Sequence, residues 1–162
     1  MIRLAEKNDM NVIMAIYSAA REYMKKQGNG QQWGDGFPYK ELLESDIEKS
    51  QLYVFEENGS VHGVFAFIIG KDPTYKDIEN GSWRDDVNPY GTLHRVAGDG
   101  VVKGVFEKIM IYVKDRNINL RIDTHEKNQT MRHLIIKNGF QERGIIYLED
   151  GDPRLAYEYI AH

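Results

Sequence analysis

The segment Leu93-His94-Arg95-Val96-Ala97-Gly98-Asp99-Gly100-Val101-Val102-Lys103-Gly104-Val105-Phe106 constrains the fold more than any other part of the chain. It passes from a β-rich stretch through a glycine turn into a helical pattern with Val105, Ile109, Tyr112 and Val113 on one stripe. Strand, turn and helix in immediate succession make a unit of an α/β domain. A helix start has several amides without an intrahelical partner and a partial positive charge, so it can hold a phosphate. Each such interaction contributes about 0.3–1 kcal/mol at an exposed site, so a diphosphate needs several together. Glycine at 104 would let the main chain come close to a ligand. A plain strand-to-helix connection has the same pattern, and this segment alone does not choose between the two.

The remaining elements fit around that unit. Ile2 to Leu4 reads as a first strand, and Asp9 as the N-cap of a helix with Ile13, Ile16, Tyr17, Ala20, Tyr23 and Met24 at helical spacing. Gly28 to Pro38 is a glycine-rich loop around Trp33, and Pro38 suits the first turn of a second helix over Tyr39 to Lys49. Leu52 to Phe55 and Val61 to Ile69 flank the hairpin turn Glu57-Asn58-Gly59-Ser60. Lys71 to Pro89 has no period, and a loop that long inside a compact domain is more often functional than not. Leu120 to Thr124 is a strand, Asn128 caps a helix carrying Met131, Leu134 and Ile135, and Gly144 to Leu148 with Leu155 to Ile160 form a last pair. The order β-α-α-β-β-β-α-β-α-β-β, with no repeat and no linker, predicts one domain over residues 1–162.

Charge and composition remove several function classes. Twenty-one basic residues against twenty-five acidic ones give a formal charge of −4, so neither nucleic acid nor an anionic membrane is an expected partner. No cysteine is present, which removes disulfides, thiolate metal sites and a cysteine nucleophile together. No metal is expected, because His125-Glu126 and His133 lack the H-E-x-x-H spacing. There is no G-x-S-x-G elbow and no phosphate-binding G-x-x-x-x-G-K-[ST] motif. Met1 to Lys7 lacks the apolar core of a signal peptide, and Val64 to Ile69 is too short to span a bilayer, so the expected location is cytoplasmic.

A second segment narrows the class. Ile122-Asp123-Thr124-His125-Glu126-Lys127-Asn128, followed by Met131, Leu134, Ile135 and Gly139-Phe140, resembles the GCN5-related N-acetyltransferase (GNAT) family, and the likeness covers essentially the whole chain. Thr124-His125-Glu126 and Tyr147-Leu148-Glu149-Asp150-Gly151 resemble stretches in a group of small bacterial members. The resemblance implies an α/β (α+β) fold with a mixed central sheet of about seven strands, helices on both faces, and a fourth strand splayed from the fifth. It implies acetyl-CoA as co-substrate, with the pantetheine arm lying on the exposed strand edge and the pyrophosphate in a Q/R-x-x-G-x-G/A turn. That turn maps onto Val101-Val102-Lys103-Gly104-Val105-Phe106: Gly104 matches, Val101 replaces the usual Gln or Arg, and Phe106 puts bulk where a small residue is usual. Val96 and Ala97 fall where the backbone pairs with pantetheine, and Asn128 where the family's Asn lies beside the cofactor.

The expected chemistry is transfer of the acetyl group to an amine of a small molecule or peptide, and a homodimer is left open. His94 is the candidate base, because the histidine side chain as a type exchanges its proton near neutral pH and strand alternation would place it on the face of Val96. Its alternative is a hydrogen-bonded core histidine. Ile135 stands where many members carry the tyrosine that protonates the thiolate, so Tyr147 is the substitute candidate. Trp33, Tyr75, Trp83 and His125 are candidates for the acceptor side, the aromatics equally able to pin their own loops. A protein of the same shape that binds acyl-CoA as a sensor is the competing reading.

Overall fold

The computed structural model describes residues 1–162. The strands are β1 (Ile2–Leu4), β2 (Leu52–Glu57), β3 (Ser60–Ile69), β4 (Tyr90–Gly98), β5 (Asn119–Thr124), β6 (Gln141–Tyr147) and β7 (Pro153–Tyr159). The α-helices are α1 (Met10–Lys26), α2 (Lys40–Glu48), α3 (Val105–Lys114) and α4 (Gln129–Lys137). One seven-stranded sheet runs in the order β1-β2-β3-β4-β5-β7-β6, antiparallel except for the β4–β5 pair. The expected mixed sheet and its chain order are therefore present.

Period-two patterning on the central strands builds a core on each face. Val64 and Ala66 of β3 pack with Ile13, Ile16 and Tyr17 of α1 and Leu43 of α2. Their neighbours Phe65 and Phe67 pack on the other side with Phe106, Ile109 and Val113 of α3 and Ile135 of α4. Gly63 is required where α3 crosses β3, since a Cβ there would lie 2.7 Å from a methyl of Val105.

Asp9 behaves differently from its expected N-cap role. Its carboxylate accepts the backbone N–H of Glu6 at 2.8 Å and binds the Arg3 guanidinium at 2.8 and 3.0 Å, with no side-chain cap on α1. A short 3-10 turn, Lys7–Asp9, leads straight into α1, so Asp9 is already helical when the α-helix begins. Asn128 does cap α4, its Oδ1 accepting the Met131 N–H at 3.0 Å.

Strand β4 carries the irregularity that matters most. Ala66 pairs with His94 but Val64 pairs with Ala97, so two residues of β4 lie opposite the single residue Phe65. This is a β-bulge, and Arg95 within it takes φ 53°, the left-handed region. Alternation is broken there: Leu93 belongs to the α3 core and Ala97, four residues on, to the α1 core. His94 consequently shares the face of Ala66, whereas Val96 packs against the α3 core. The shared face expected from simple alternation does not exist.

Candidate active site

Strands β4 and β5 pair only from Tyr90–Asn119 to Thr92–Arg121 and then separate. Beyond Thr92 the β4 edge toward β5 has no strand partner, and a cavity of about 690 Å³ occupies the gap. Its walls include Leu93 to Val96 of β4, Ile122 to Thr124 of β5, Asn128, and Trp33 and Phe37 from the glycine-rich loop.

The bulge in the cavity wall is held from two directions. The fully buried Tyr17 hydroxyl donates to the Arg95 carbonyl at 2.7 Å, and burial pushes this phenol well above its ordinary pKa. The Arg95 guanidinium binds the buried Asp46 carboxylate at 2.8 Å. Both ends of an unfavourable backbone conformation are thus fixed by polar partners, and the open edge keeps one shape.

His94 sits on the cavity wall. Its Nε2 lies 2.7 Å from Oδ2 of Asp72, whose other oxygen accepts from the Thr74 amide and hydroxyl at 2.9 and 2.7 Å. Burial pushes the Asp72 carboxyl up, but the bonds from His94 and Thr74 together outweigh it and bring its pKa down to about 2. An ionised carboxylate can only accept, so Nε2 carries the proton and a neutral ring has its lone pair on Nδ1. Below it, Asp123 accepts the Tyr75 hydroxyl at 2.6 Å, and burial raises its pKa against the opposing pull of His94.

The turn after β4 is closed by its own side chains. Asp99 binds His62 Nδ1 at 2.8 Å and accepts the Val101 N–H at 2.9 Å. Gly104, at φ 75°, is the N-cap of α3 in a conformation that favours glycine. The amides of Val102, Lys103, Gly104, Val105, Phe106 and Glu107 donate to no acceptor within the chain. Phe106 is buried in the α3 core with Ile109 and Ile135, so the bulk expected near the diphosphate is turned away from the turn. Val101 is exposed.

The other candidate residues divide sharply. Asn128, Val96 and Trp33 line the cavity; Tyr75, Trp83, His125 and Tyr147 do not. Tyr75 and Trp83 are buried in a separate cluster, where the Trp83 indole N–H donates to the Tyr75 carbonyl at 2.9 Å. His125 is buried, its Nδ1 accepts the Lys127 N–H at 3.1 Å, and burial lowers its pKa. Tyr147 lies exposed on β6, donating to Glu79 at 2.9 Å. Among the polar wall residues not singled out as site candidates from the sequence are Asp72, Gln32 and Arg154. Of these, only Asp72 has a usable signal, an Asp directly before Pro73 and Thr74 in the pattern of a capped turn.

A sheet opened between two parallel strands, beside a helix start with free amides, is the arrangement that the GNAT resemblance implies. Solved structures agree. A GNAT-family acetyltransferase from Streptococcus agalactiae 2603 is 33% identical, with 100% of this chain and 95% of that one covered at a TM-score of 0.88. A GNAT-family acetyltransferase from Listeria monocytogenes 4b F2365 is 23% identical, covering 98% and 93% at 0.69. A Salmonella typhimurium protein solved with its cofactor acetyl-CoA shares the fold at 18% identity, covering 99% and 92% at 0.63. No protein-family model matches the sequence, and no curated protein matches it. With a third of its residues identical over its full length to a member, the chain belongs to the GNAT family of acetyltransferases.

Proposed function

We propose that this acetyltransferase moves the acetyl group of acetyl-CoA directly to a primary amine, with His94 as the base. The observation that carries the reading is the His94–Asp72 pair on the wall of the split sheet. The acceptor nitrogen attacks the thioester carbon, the C–S bond breaks, and CoA leaves as the thiolate. The amine proton passes to Nδ1 of His94, while the Asp72 carboxylate holds Nε2–H and stabilises the imidazolium that forms. Positioning in the cleft and main-chain amides facing the developing oxyanion provide the rest.

The diphosphate of CoA would lie on the free amides of Val102 to Phe106, and the pantetheine arm along Val96 and Ala97. Loss of the usual side chains at 101 and 106 leaves those amides available, and the inward-turned Phe106 removes the main objection to cofactor binding. Asp72, Asp123, Glu149 and Asp150 all border the cavity, whereas its Arg95 and Arg154 bind Asp46 and Asp152. That excess of carboxylate favours an acceptor that carries a cationic group beside the neutral amine that attacks. Tyr147, which is not on the cavity wall and donates to Glu79, is not part of this mechanism, and solvent is the proton source for the departing thiolate.

Acetyl-CoA should raise the melting temperature through mass action, whereas NAD and ATP should not. A thiol-release assay with polyamines, amino acids, aminoglycosides and peptides should find an acceptor. His94→Gln should then lower kcat by about 10²-fold or more and remove the acid limb of the kcat/KM profile. An unchanged profile removes His94 from the chemistry. Binding of acetyl-CoA without thiol release from any amine would instead favour a sensor.

A further inference from the structure

We infer that Gln32 is a positioning residue that latches the 28–38 loop across the split sheet, so that filling the cofactor side orders the acceptor wall. The inference rests on the acetyl-transfer reading above. Gln32 Oε1 accepts three hydrogen bonds: from Asn29 Nδ2 at 2.9 Å, Asn128 Nδ2 at 3.0 Å and the Thr124 hydroxyl at 3.3 Å. Its main-chain carbonyl accepts Arg154 Nη2 at 3.1 Å. Thr124 ends β5, Asn128 caps α4 and Arg154 lies on β7, so every contact outside the loop falls on the β5 side of the split.

The next residue reaches the opposite side. Trp33 packs edge-on to Tyr17 with ring centroids 5.6 Å apart, and Tyr17 is the residue whose hydroxyl holds the β4 bulge. Two consecutive residues therefore bind the two halves of the sheet where no strand pairing joins them. The loop's start is tied to the end of α1 by the Gly28 and Asn29 amides, and its remaining side-chain ties are peripheral: Arg21 to the Phe37 carbonyl at 3.2 Å and Lys25 to Asp35 at the surface.

The polarity of the latch is dictated by the backbone. The Met131 N–H requires an acceptor, so Asn128 must present Oδ1 to it and Nδ2 to Gln32. Gln32 must then present oxygen to Asn128, which leaves its own Nε2 group with no acceptor in the chain beside the cavity it lines. Asn128, Gln32 and Trp33 line one cavity, so a thioester arm entering it would meet the helix cap, the latch and the aromatic ring together, and filling one part can order the rest.

The test compares wild type with Gln32→Met, which keeps the length and loses the acceptor, and Gln32→Glu, which keeps an oxygen for all three donors. Free CoA is the probe, with its binding measured by calorimetry. Saturating CoA should slow amide hydrogen exchange across residues 28–38 in wild type and in Gln32→Glu, and not in Gln32→Met. With the best amine from the acceptor panel, Gln32→Met should raise the acceptor KM by about tenfold with a much smaller change in kcat, and Gln32→Glu should restore it. Equal protection in wild type and Gln32→Met overturns the latch, as does a kcat loss that Gln32→Glu does not rescue. CoA that fails to bind wild type at all sinks the acetyl-transfer reading, and the latch with it, a result calorimetry separates from the others.

Discussion

The two irregular loops of this protein have similar sequences and opposite fates. Residues 28–38 and 71–89 both combine glycine, aspartate and a single tryptophan, yet Trp33 lines the cavity and Trp83 lies in a core of its own. The difference lies in their partners. The Trp83 N–H has a buried carbonyl to bind, and its ring covers one face of the Arg121 guanidinium at 3.8 Å, with Tyr90 covering the other at the same distance. Arg121 is itself 1% exposed and donates to the Asp85 carbonyl at 3.0 Å, so the long loop is fastened around a buried cation. Trp33 has an edge contact with Tyr17 and no hydrogen bond from its indole. Trp33 stays on the cavity wall because no buried polar partner claims its indole.

Removing each tryptophan should break the likeness in opposite ways, and Trp83 should show the larger effect. Trp83→Ala deletes a buried ring and leaves Arg121 without one of its two faces. It should cost about 3–5 kcal/mol of stability in denaturant unfolding, the range for large-to-small core changes. A loss below about 1 kcal/mol, the scale of ordinary surface substitutions, would show that the 71–89 loop is not fastened as described.

Acid should separate the loops next, because both hold aspartate below its ordinary pKa, Asp35 in the first and Asp72 and the exposed Asp85 in the second. Asp35 is lowered by Lys25, but both are at the surface, where an ion pair contributes little. Asp72 is sheltered, and the bonds from His94 and Thr74 bring it from 3.8 to about 2 despite its burial. A carboxyl lowered on folding adds stability above its unfolded pKa, and that stability is lost as pH falls through the folded value. Between about pH 4 and 2, wild type should lose about 2 kcal/mol that Asp72→Asn does not, measured by urea unfolding across that range. Asp35→Asn should leave the acid profile of wild type unaltered. Parallel acid profiles for wild type and Asp72→Asn would deny the carboxylate its place on His94.

Local pattern made most of the fold legible. Apolar spacing locates the helices, the Asn58-Gly59 turn locates the hairpin, and Gly104 and Asn128 mark the starts of α3 and α4. What stayed hidden depends on register or on distant segments. The bulge at Arg95 has no sequence mark, since a positive φ at an arginine is imposed by Tyr17 and Asp46 from α1 and α2. Because alternation was assumed through it, His94 and Val96 were expected on one face. Asp72, Gln32 and Arg154 reach the cavity from segments far apart in the chain, and no spacing rule brings them together. Tyr75 and Trp83 have the composition of binding residues, and the β5 side chains that claim them, Asp123 on the Tyr75 hydroxyl and Arg121 against the Trp83 ring, can be recognised only once β5 is placed.

Trp33 offers the smallest effect and the sharpest contrast with Trp83. Its ring is partly exposed and packs against a tyrosine already fixed by its own hydrogen bond, so Trp33→Ala should cost about 1 kcal/mol of stability. The same change removes an apolar face from the acceptor side of the cavity. It should therefore raise the acceptor KM by about five- to tenfold with little change in acetyl-CoA affinity, measured by thiol release at saturating cofactor. Trp33→Phe keeps an aromatic face and should recover most of that loss. If Trp33→Ala instead destabilised the protein as much as Trp83→Ala, with acceptor KM unmoved, the two loops would be alike after all. The acceptor wall would then have to be sought among the carboxylates of the β6–β7 turn, where Glu149 and Asp150 border the same cavity.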